Sequence, residues 1–455
     1  MATNHQPGYR FADTLKRLLR RNAVTNIRKI LDRSHPADIA LALDAFIPPE
    51  RLKLLSYLGD DAHQAEVVAG MPVTKAVDLL GELPFDRMVA LLSEMSGDDR
   101  ADILGALDEE LAGKILTAMP DEESDEATEL LRYGESTAGG IMSPDFLAIG
   151  DDVSVGKAIG IVQESPDVEM AFYIYVVNNH GSLVGVVSLR QLVVTRRDVQ
   201  LSEIMNPHVV SVRTSEDQEE VARLVSRYDL LAVPVVEEPN QLVGVVTVDD
   251  VIDVIREEAT EDILKMAGAG EELDKTHSVL SAVKHRAPWL AAAWIGGIMA
   301  SFIIGYYEST VQKYLPLVAF IPIIIGMAGN VGTQSLTIVV RGLATRRIVA
   351  KKFWRVTLRE VAVGILLGVL YGAALGAMGF FQIDGTIGMN ALMMALVVGI
   401  SAAFAMTIAA LVGAATPLLF ARLHIDPAVA TGPFVTTTID VIGVLVYFNL
   451  ARLLI

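Results

Sequence analysis

One acidic residue lies near the middle of the last long apolar stretch of the chain. Asp440 falls within Pro427–Leu454, a segment rich in Val, Ile and Leu that, as a helix, is long enough to cross a bilayer. A carboxylate at that depth costs about 2.5–3.5 kcal/mol on insertion scales, so it usually faces a water-filled cavity or a partner. Thr436, Thr437 and Gly443 share its helical face. This pattern favours a cation pathway over the alternative, a protonated Asp440 that hydrogen-bonds a neighbouring helix for packing only.

A second polar segment interrupts an earlier apolar stretch. The segment Gly326–Ser335 is too polar and too rich in glycine for a helix that faces lipid. Its polar side chains recur at the spacing i, i+3, i+4, i+7, which lines one helical face: Asn330, Thr333, Gln334 and Thr337. Gly326 and Gly329 are equally compatible with tight helix packing. We expect the two polar faces to share one cavity.

The polar groups of these stretches are one carboxylate, hydroxyls, amides and backbone carbonyls. Such hard oxygen ligands suit Mg²⁺, Ca²⁺ or Mn²⁺. The chain has no cysteine, and its eight histidines form no His-Glu-x-x-His motif. Walker, Gly-x-Ser-x-Gly and dinucleotide motifs are also absent from the sequence, so we do not expect an enzyme.

Charge is unevenly distributed along the 455 residues. The first 286 residues hold 50 of the 55 acidic and 27 of the 37 basic residues, a balance of −23, whereas the remainder carries +5. This acidic surface argues against nucleic acid as a partner and favours divalent cations.

The N-terminal region predicts a helical solenoid with one short helix per repeat. Its apolar residues recur at intervals of twelve, each followed by proline or a capping residue: Met71, Leu83, Met95, Leu107 and Met119. Acids gather in the turns, among them Asp98 and Asp102. For a single acid of this kind, helix capping or a solvated surface is the simpler interpretation.

A second repeat follows. Met142-Ser-Pro144 recurs as Met205-Asn-Pro207, and Leu183-Val-Gly-Val-Val187 recurs as Leu242-Val-Gly-Val-Val246. Each copy predicts the order β-α-β-β-α, which resembles a tandem pair of CBS domains. The last helix of copy two continues as an acidic helix to Met266, before a polar linker over Glu271–His277.

Five apolar segments are each long enough, as helices, to cross a bilayer. They are Ala287–Tyr307, Leu315–Val340, Val361–Phe381, Met389–Phe420 and Pro427–Leu454. The basic segments between them lie on the side of the N-terminal domains, so we expect a plasma (inner) membrane protein with a cytoplasmic N-terminus and an external C-terminus. Met1–Asn22 lacks the apolar core of a signal peptide.

We therefore expect a multidomain membrane protein. Its parts are an N-terminal all-α superhelical domain (1–135), an α/β tandem CBS pair (136–200 and 201–256), a connecting helix and linker (257–284) and a five-helix transmembrane domain (285–455).

This order of parts, together with three phrases in the membrane domain, resembles the MgtE family of magnesium channels. The phrases are Gly329-Asn-Val-Gly-Thr-Gln-Ser335, Ile425-Asp-Pro-Ala428 and Gly432-Pro-Phe-Val-Thr-Thr-Thr-Ile-Asp-Val-Ile-Gly443. The resemblance implies a homodimer whose second and fifth spans line one central pore. It also implies Mg²⁺ as both the transported ion and the regulatory ligand. Some members carry Asn where this chain has Thr333.

The resemblance assigns roles to single residues. The essential pore acid falls on Asp440, a polar pore position on Asn330 and an acid of the cytosolic mouth on Asp426. Regulatory acids fall on Asp250, Asp253, Glu261 and Asp262, the last two in the connecting "plug" helix. We add further surface acids as candidate metal ligands: Glu258, Asp217, Asp229, Asp98 and Asp102. Asp426 also precedes Pro427 as a helix N-cap would.

From the residues themselves, one Asp per subunit suits a largely hydrated Mg²⁺, because this ion dehydrates reluctantly. We expect scarce cytosolic Mg²⁺ to leave the acids repelling one another, and abundant Mg²⁺ to bridge them and close the pore. CBS pairs often bind adenine nucleotides such as ATP, and Thr247 and Asp249 are placed for ribose contacts.

Two rival functions remain open. One is a CBS-containing membrane sensor or scaffold that transports no ion; the other is an anion channel, for which the spans offer no basic site near their middle.

Overall fold

The computed structural model describes residues 7–165, 172–268, 279–308, 312, 315–382, 390–429 and 433–454. The chain divides into two compact units, Met1–Glu257 and Glu258–Ile455, called here the N-terminal unit and the C-terminal unit. The helical N-terminal region, the CBS-like pair and five long apolar helices confirm the predicted fold class.

Ten short helices lie between residues 7 and 130 of the N-terminal unit, all of which the structure describes. They are α1 (Pro7–Arg20), α2 (Val24–Leu31), α3 (Pro36–Leu43), α4 (Pro48–Leu55), α5 (Asp61–Ala69), α6 (Val73–Leu80), α7 (Phe85–Ser93), α8 (Gly97–Ala106), α9 (Glu109–Ala118) and α10 (Asp121–Leu130). The helices from α6 to α10 begin every twelve residues, as the sequence spacing predicts. Pro72, Pro84 and Pro120 precede three of them, because proline cannot continue a helix but suits its start.

One apolar core runs through these helices, from Leu15 in α1 to Ala127 in α10. The repeat residues Met71, Met95 and Met119 are buried where one helix ends and the next begins. The buried guanidinium of Arg100 in α8 forms an ion pair with Glu126 in α10. The solenoid therefore has a continuous hydrophobic interior that is tied by charge near its end.

Two small sheets follow, one for each CBS copy. Copy one contains β1 (Ala148–Gly150), α11 (Val155–Glu164), β2 (Tyr173–Val177), β3 (Leu183–Ser188) and α12 (Leu189–Val194). A short helix, α13 (Leu201–Ile204), follows. Copy two contains β4 (Val212–Arg213), α14 (Gln218–Tyr228), β5 (Ala232–Glu237), β6 (Gln241–Thr247) and α15 (Val248–Met266). In both sheets the first strand is parallel to the second, and the second is antiparallel to the third. The order β-α-β-β-α is confirmed.

The two copies exchange their leading segments. Met142, which precedes β1 of copy one, packs directly over Gly244 of copy two, and Met205, which precedes β4 of copy two, packs over Gly185 of copy one. A Cβ atom at either glycine would collide with the methionine side chain, so only glycine leaves room there. The paired methionines and glycines of the sequence repeat thus form a reciprocal contact that joins the copies.

The acidic helix α15 is continuous to Met266, as expected, and ends before Gly268, whose positive φ of 66° suits a helix terminus. The predicted linker Glu271–His277 lies outside the described residues.

The described part of the C-terminal unit contains five long apolar helices: α16 (Val279–Tyr306), α17 (Ile321–Ala344), α18 (Phe353–Gln382), α19 (Ala391–Arg422) and α20 (Pro433–Leu454). Each is long and apolar enough to cross a membrane. A 3₁₀ helix, Leu315–Phe320, precedes α17 where the sequence predicted continuous helix. Helices α16, α17 and α18 extend past the predicted spans, because backbone hydrogen bonding continues into polar flanks that hydropathy excludes.

The start of the last helix differs most from the prediction. Helix α20 begins at Pro433, not at Pro427. His424 adopts a left-handed conformation, and residues 427–429 form a turn in which the Ala428 N–H donates to Asp426 Oδ1 at 2.8 Å. That turn satisfies the carboxylate locally, so Asp426 is not the N-cap of the last helix.

Helix α19 lies at the centre of the C-terminal unit. The glycine row of α18 approaches its backbone, with Gly368 against Ala403 and Gly372 against Gly399. Gly413 of α19 meets Gly332 of α17 in the same way. Small residues at such crossings let membrane helices approach closely. Gly326 and Gly329, the glycines considered for tight packing, meet no other described residue at their Cβ positions.

Candidate cation site

Asp440 is half-buried in the middle of α20. Its neighbour Ile439 is buried and packs over Gly332 of α17, so these two helices touch one residue away from the carboxylate. Near the other end of α20, the Tyr447 hydroxyl donates to the Leu317 carbonyl at 2.8 Å. Among the described residues, no ion pair involves Asp440. The carboxylate is therefore held in position by its helix while it remains free of a basic partner.

One face of α17 is polar and exposed. The four residues that the spacing places together all point away from the rest of the chain: Asn330, Thr333, Gln334 and Thr337. The opposite face, which includes Ala328, Leu336 and Val339, is buried. The periodicity prediction for this helix is therefore confirmed, and its polar row faces outward from a single chain.

The polar face of α20 is narrower than the sequence suggests. The Thr437 side chain packs against Gly296 of α16, where no Cβ atom would fit, so this residue is engaged in helix packing. Thr436 is exposed and Asp440 is half-buried. The contact between Gly332 and Ile439 places the exposed row of α17 beside the helix that carries Asp440.

The acids near the start of the C-terminal unit gather around one lysine. The Lys265 ammonium pairs with Glu261 one turn earlier in α15, and its Nζ lies 3.1 Å from Asp426 Oδ2. Burial, together with the nearby carboxylates of Asp426 and Glu258, raises the pKa of Asp262. Four of the predicted acids therefore converge here. The sequence interpretation missed Lys265, because its partner Asp426 is 161 residues away.

A second group of acids converges within the N-terminal unit. Burial raises the pKa of Asp102 to about 7, with further contributions from Asp98, Asp99, Glu257 and Glu135. Burial likewise raises the pKa of Asp250 to about 7, despite its hydrogen bond from Thr247, with Asp98 and Asp249 adding to the shift. The solenoid and the second CBS copy thus bring carboxylates together that lie about 150 residues apart in sequence.

An orphaned atom marks this acidic group. Asp98 Oδ1 is buried and accepts no hydrogen bond from any described residue. Buried carboxylate oxygens that lack donors suit a hard divalent cation. Within the described residues, no three His, Asp or Glu side chains lie close enough to form a ready-made metal site. A cation there would be held partly through water, as Mg²⁺ prefers.

The other predicted acids lie at helix ends or on the surface, and their role as metal ligands stays a prediction. Asp217 caps α14, accepting the Glu219 N–H at 2.9 Å, and Asp229 ends the same helix with a φ of 51°. Asp253 is exposed and forms a surface ion pair with Arg256. Asp250 also accepts the Thr247 hydroxyl at 2.5 Å, which stabilises the first turn of α15.

One buried acid was given no role by the sequence interpretation. Glu360 in α18 is only 6 % exposed and accepts a hydrogen bond from the Ser335 hydroxyl of α17 at 3.0 Å. It directly precedes the predicted third span. An acid so close to an apolar span is the sequence signal that could have identified Glu360 as a candidate functional residue.

Comparisons with known proteins agree with this architecture. The divalent cation transporter family MgtE matches residues 321–450, the MgtE intracellular N domain matches 34–136, and CBS domains match 138–198 and 201–257. The magnesium transporter MgtE of Thermus thermophilus is 42 % identical over 72 % of each chain, and that of Bacillus subtilis is 33 % identical over 95 % of each chain.

A solved structure covers the N-terminal unit. The crystal structure of the cytosolic domain of the Mg²⁺ channel MgtE in complex with ATP has a TM-score of 0.51 and 38 % sequence identity. It covers 53 % of this chain and 99 % of that one.

The raised pKa values of the N-terminal acids predict how its stability depends on pH and divalent ions. An aspartate whose folded pKa is about 7 rather than 3.8 contributes stability that is complete below pH 3.8 and is lost as the pH rises through 7. At pH 8 without divalent ions, Asp102→Asn should therefore raise the melting temperature, by about 2–4 °C for each kcal/mol of relief. It should also reduce the further increase produced by Mg²⁺.

Differential scanning calorimetry of the full-length protein in detergent measures both effects. Asp253→Asn, which removes an exposed carboxylate of the same unit, is the control. Equal behaviour of the two variants would show that the acidic group around Asp102 carries no special repulsion.

Proposed function

Because the chain belongs to the MgtE family of divalent cation transporters, we propose that it is a magnesium channel whose cytoplasmic CBS-containing region controls the pore. The ion passes through the five-helix domain into the cytoplasm. The N-terminal unit responds to the cytoplasmic concentration of Mg²⁺. The protein lies in the plasma (inner) membrane, with its C-terminus outside. We propose the same domain boundaries that the sequence predicts, after residues 135, 200, 256 and 284.

The exposed polar row of α17 is the observation that carries this proposal. Amide and hydroxyl side chains such as Asn330 and Gln334 are exposed on an otherwise apolar helix of one chain. Facing lipid, they would lack hydrogen-bonding partners, so their position favours a water-filled space. A second copy of the chain supplies the other wall of that space, and the pore follows the homodimer axis.

Asp440 is the charged group of this pore. Each subunit contributes one such carboxylate, and two carboxylates attract a divalent ion without replacing its hydration shell. Mg²⁺ holds its waters tightly, so recognition through those waters avoids the cost of dehydration. The amides and hydroxyls of α17 accept and donate hydrogen bonds to the same water shell.

The driving force is the membrane potential. A divalent cation that enters a compartment 100 mV negative gains about 4.6 kcal/mol, twice the value for one charge. No ATP hydrolysis is required, which agrees with the absence of a Walker motif from the sequence.

Two acidic groups support regulation by the transported ion. One contains Asp98, Asp102 and Asp250, and the other contains Glu258, Glu261, Asp262 and Asp426. When Mg²⁺ is scarce, like charges repel and the arrangement that buries them is disfavoured. When Mg²⁺ is abundant, bound ions neutralise them and the closed arrangement gains free energy.

Replacing the pore carboxylate tests the transport proposal. We expect Asp440→Ala to abolish Mg²⁺ uptake by proteoliposomes under an inside-negative potential, and Asp440→Asn to reduce it by at least tenfold. Asn449→Ala is a matched control, because Asn449 lies on the opposite face of α20 and donates a hydrogen bond to the Leu445 carbonyl of its own helix. Uptake is measured with an internal Mg²⁺ indicator dye. Undiminished uptake by Asp440→Ala, or no uptake by the unaltered protein, would favour the non-transporting sensor instead.

Removing the regulatory region tests the gating proposal. A chain that begins at residue 271 lacks the N-terminal unit and α15, and it should conduct Mg²⁺ continuously. Millimolar internal Mg²⁺ should inhibit the full-length protein but leave the shortened chain active. The same liposome assay with preloaded Mg²⁺ measures this difference. Equal inhibition of both proteins would place the gate within the membrane helices.

The CBS pair also suggests a nucleotide ligand. We propose that ATP binds it, since the similar cytosolic domain was crystallised with ATP and Thr247 and Asp249 lie at the junction of β6 and α15. Asp249→Ala should weaken ATP binding to the full-length protein by about tenfold, the loss of a hydrogen bond to a charged group. Arg190→Ala, at the equivalent position of copy one, should not. Equilibrium dialysis with labelled ATP measures both, and an absence of binding to the unaltered protein refutes the proposal.

A further inference from the structure

The hydrogen bond between Ser335 and Glu360 joins two membrane helices in their buried interior. Ser335 is 3 % exposed on α17, Glu360 is 6 % exposed on α18, and the serine Oγ donates to Oε2 at 3.0 Å. Among the described residues, this is the only side-chain hydrogen bond between α17 and another membrane helix. A carboxyl group buried between apolar helices is costly, so its retention calls for a function.

The bond lies on the side of α17 that faces away from the polar row. With 3.6 residues per turn, Ser335 is about 140° around the helix from Asn330 and about 160° from Thr333. A rotation of α17 that breaks the bond therefore moves the whole polar row by the same angle.

The other contacts of α17 at this level are close-packed and apolar. Gly332 meets Ile439 and the Gly413 backbone, and the surrounding contacts are between apolar side chains. Close packing at Gly332 restricts large rotations of α17, because a side chain brought to that position would collide with Ile439. A hydrogen bond weakens steeply when its angle changes, so it specifies one rotation.

We propose that Glu360 is a positioning residue for the cation pathway. Through Ser335 it determines the rotation of α17 and so directs Asn330, Thr333 and Gln334 toward the pore. Glu360 does not contact the ion itself, since it lies on the buried side of the helix pair. This inference rests on the proposed transport function.

Only a hydrogen-bond acceptor is needed for this role. The amide oxygen of glutamine replaces the carboxylate oxygen in shape and accepts the same hydrogen bond, whereas leucine cannot accept one. We therefore expect Glu360→Gln to retain Mg²⁺ uptake within about twofold. We expect Glu360→Leu and Ser335→Ala each to reduce uptake about tenfold, and their double variant to be no worse than either, because both remove one interaction.

Ser401→Ala is the matched control. Ser401 in α19 is also fully buried, but its hydroxyl has no hydrogen-bond partner among the described residues. The same substitution there should leave uptake unchanged.

Cysteine labelling reports the rotation directly, because the chain has no native cysteine. Thr333→Cys on the polar row should react with a charged thiol reagent, whereas Leu336→Cys, on the buried face of the same helix, should not. Adding Ser335→Ala should reduce this contrast at least threefold, and adding Ser401→Ala should preserve it. Labelling is measured by mass spectrometry in liposomes and does not require transport.

Three results would overturn the proposal. Glu360→Gln as inactive as Glu360→Leu would show that the charge itself matters. Unchanged uptake and labelling in Ser335→Ala would show that the bond does not set the rotation. A Ser401→Ala variant as impaired as Ser335→Ala would indicate a general packing effect. Each of these requires that the unaltered protein transports Mg²⁺, so they are distinct from a failure of the proposed function, in which it does not.

Discussion

Polar groups that cannot be left in hydrocarbon determine how the membrane helices of this chain are arranged. A carboxylate on α20 and a row of amides and hydroxyls on α17 need water or a partner, while nearly all surrounding side chains favour lipid or the core. One chain leaves the α17 row exposed and Asp440 half-buried without an ion pair among the described residues. In the proposed function, this need for water connects the packing of single helices to a pore between two copies.

The proposed regulatory part, the N-terminal unit, contains an excess of negative charges. The N-terminal unit brings Asp98, Asp102 and Asp250 together although each carries a raised cost of ionisation or an unpartnered oxygen. Evenly dispersed acids would repel less and bind divalent ions less well. In the proposed gating, divalent cations that bind these acids relieve the repulsion and so couple ion concentration to the shape of this unit. In the other acidic group, the Lys265 ammonium reduces the repulsion between carboxylates, because it pairs with Glu261 and Asp426.

The CBS pair shows how a repeat in sequence becomes one module. Each copy has a glycine on its third strand, and the methionine that precedes the first strand of the other copy occupies the space above it. Neither contact can form within a single copy, so the two halves depend on each other. Helix α15 directly follows the last strand of the second copy. The hydrogen bond between Thr247 and Asp250 connects the first turn of this helix to the sheet.

Much of this protein follows from local patterns. The twelve-residue spacing determined the helices from α6 to α10, the duplicated phrases determined the CBS pair, and the i, i+3, i+4, i+7 spacing determined the polar face of α17, because these periods repeat within a few turns of backbone. The tertiary structure decided what depends on distant partners or on the exact path of a turn. It moved the start of α20 from Pro427 to Pro433, engaged Thr437 with Gly296, and joined Ser335 to Glu360 and Lys265 to Asp426. No local period encodes such pairs, since their partners meet only after the helices have packed.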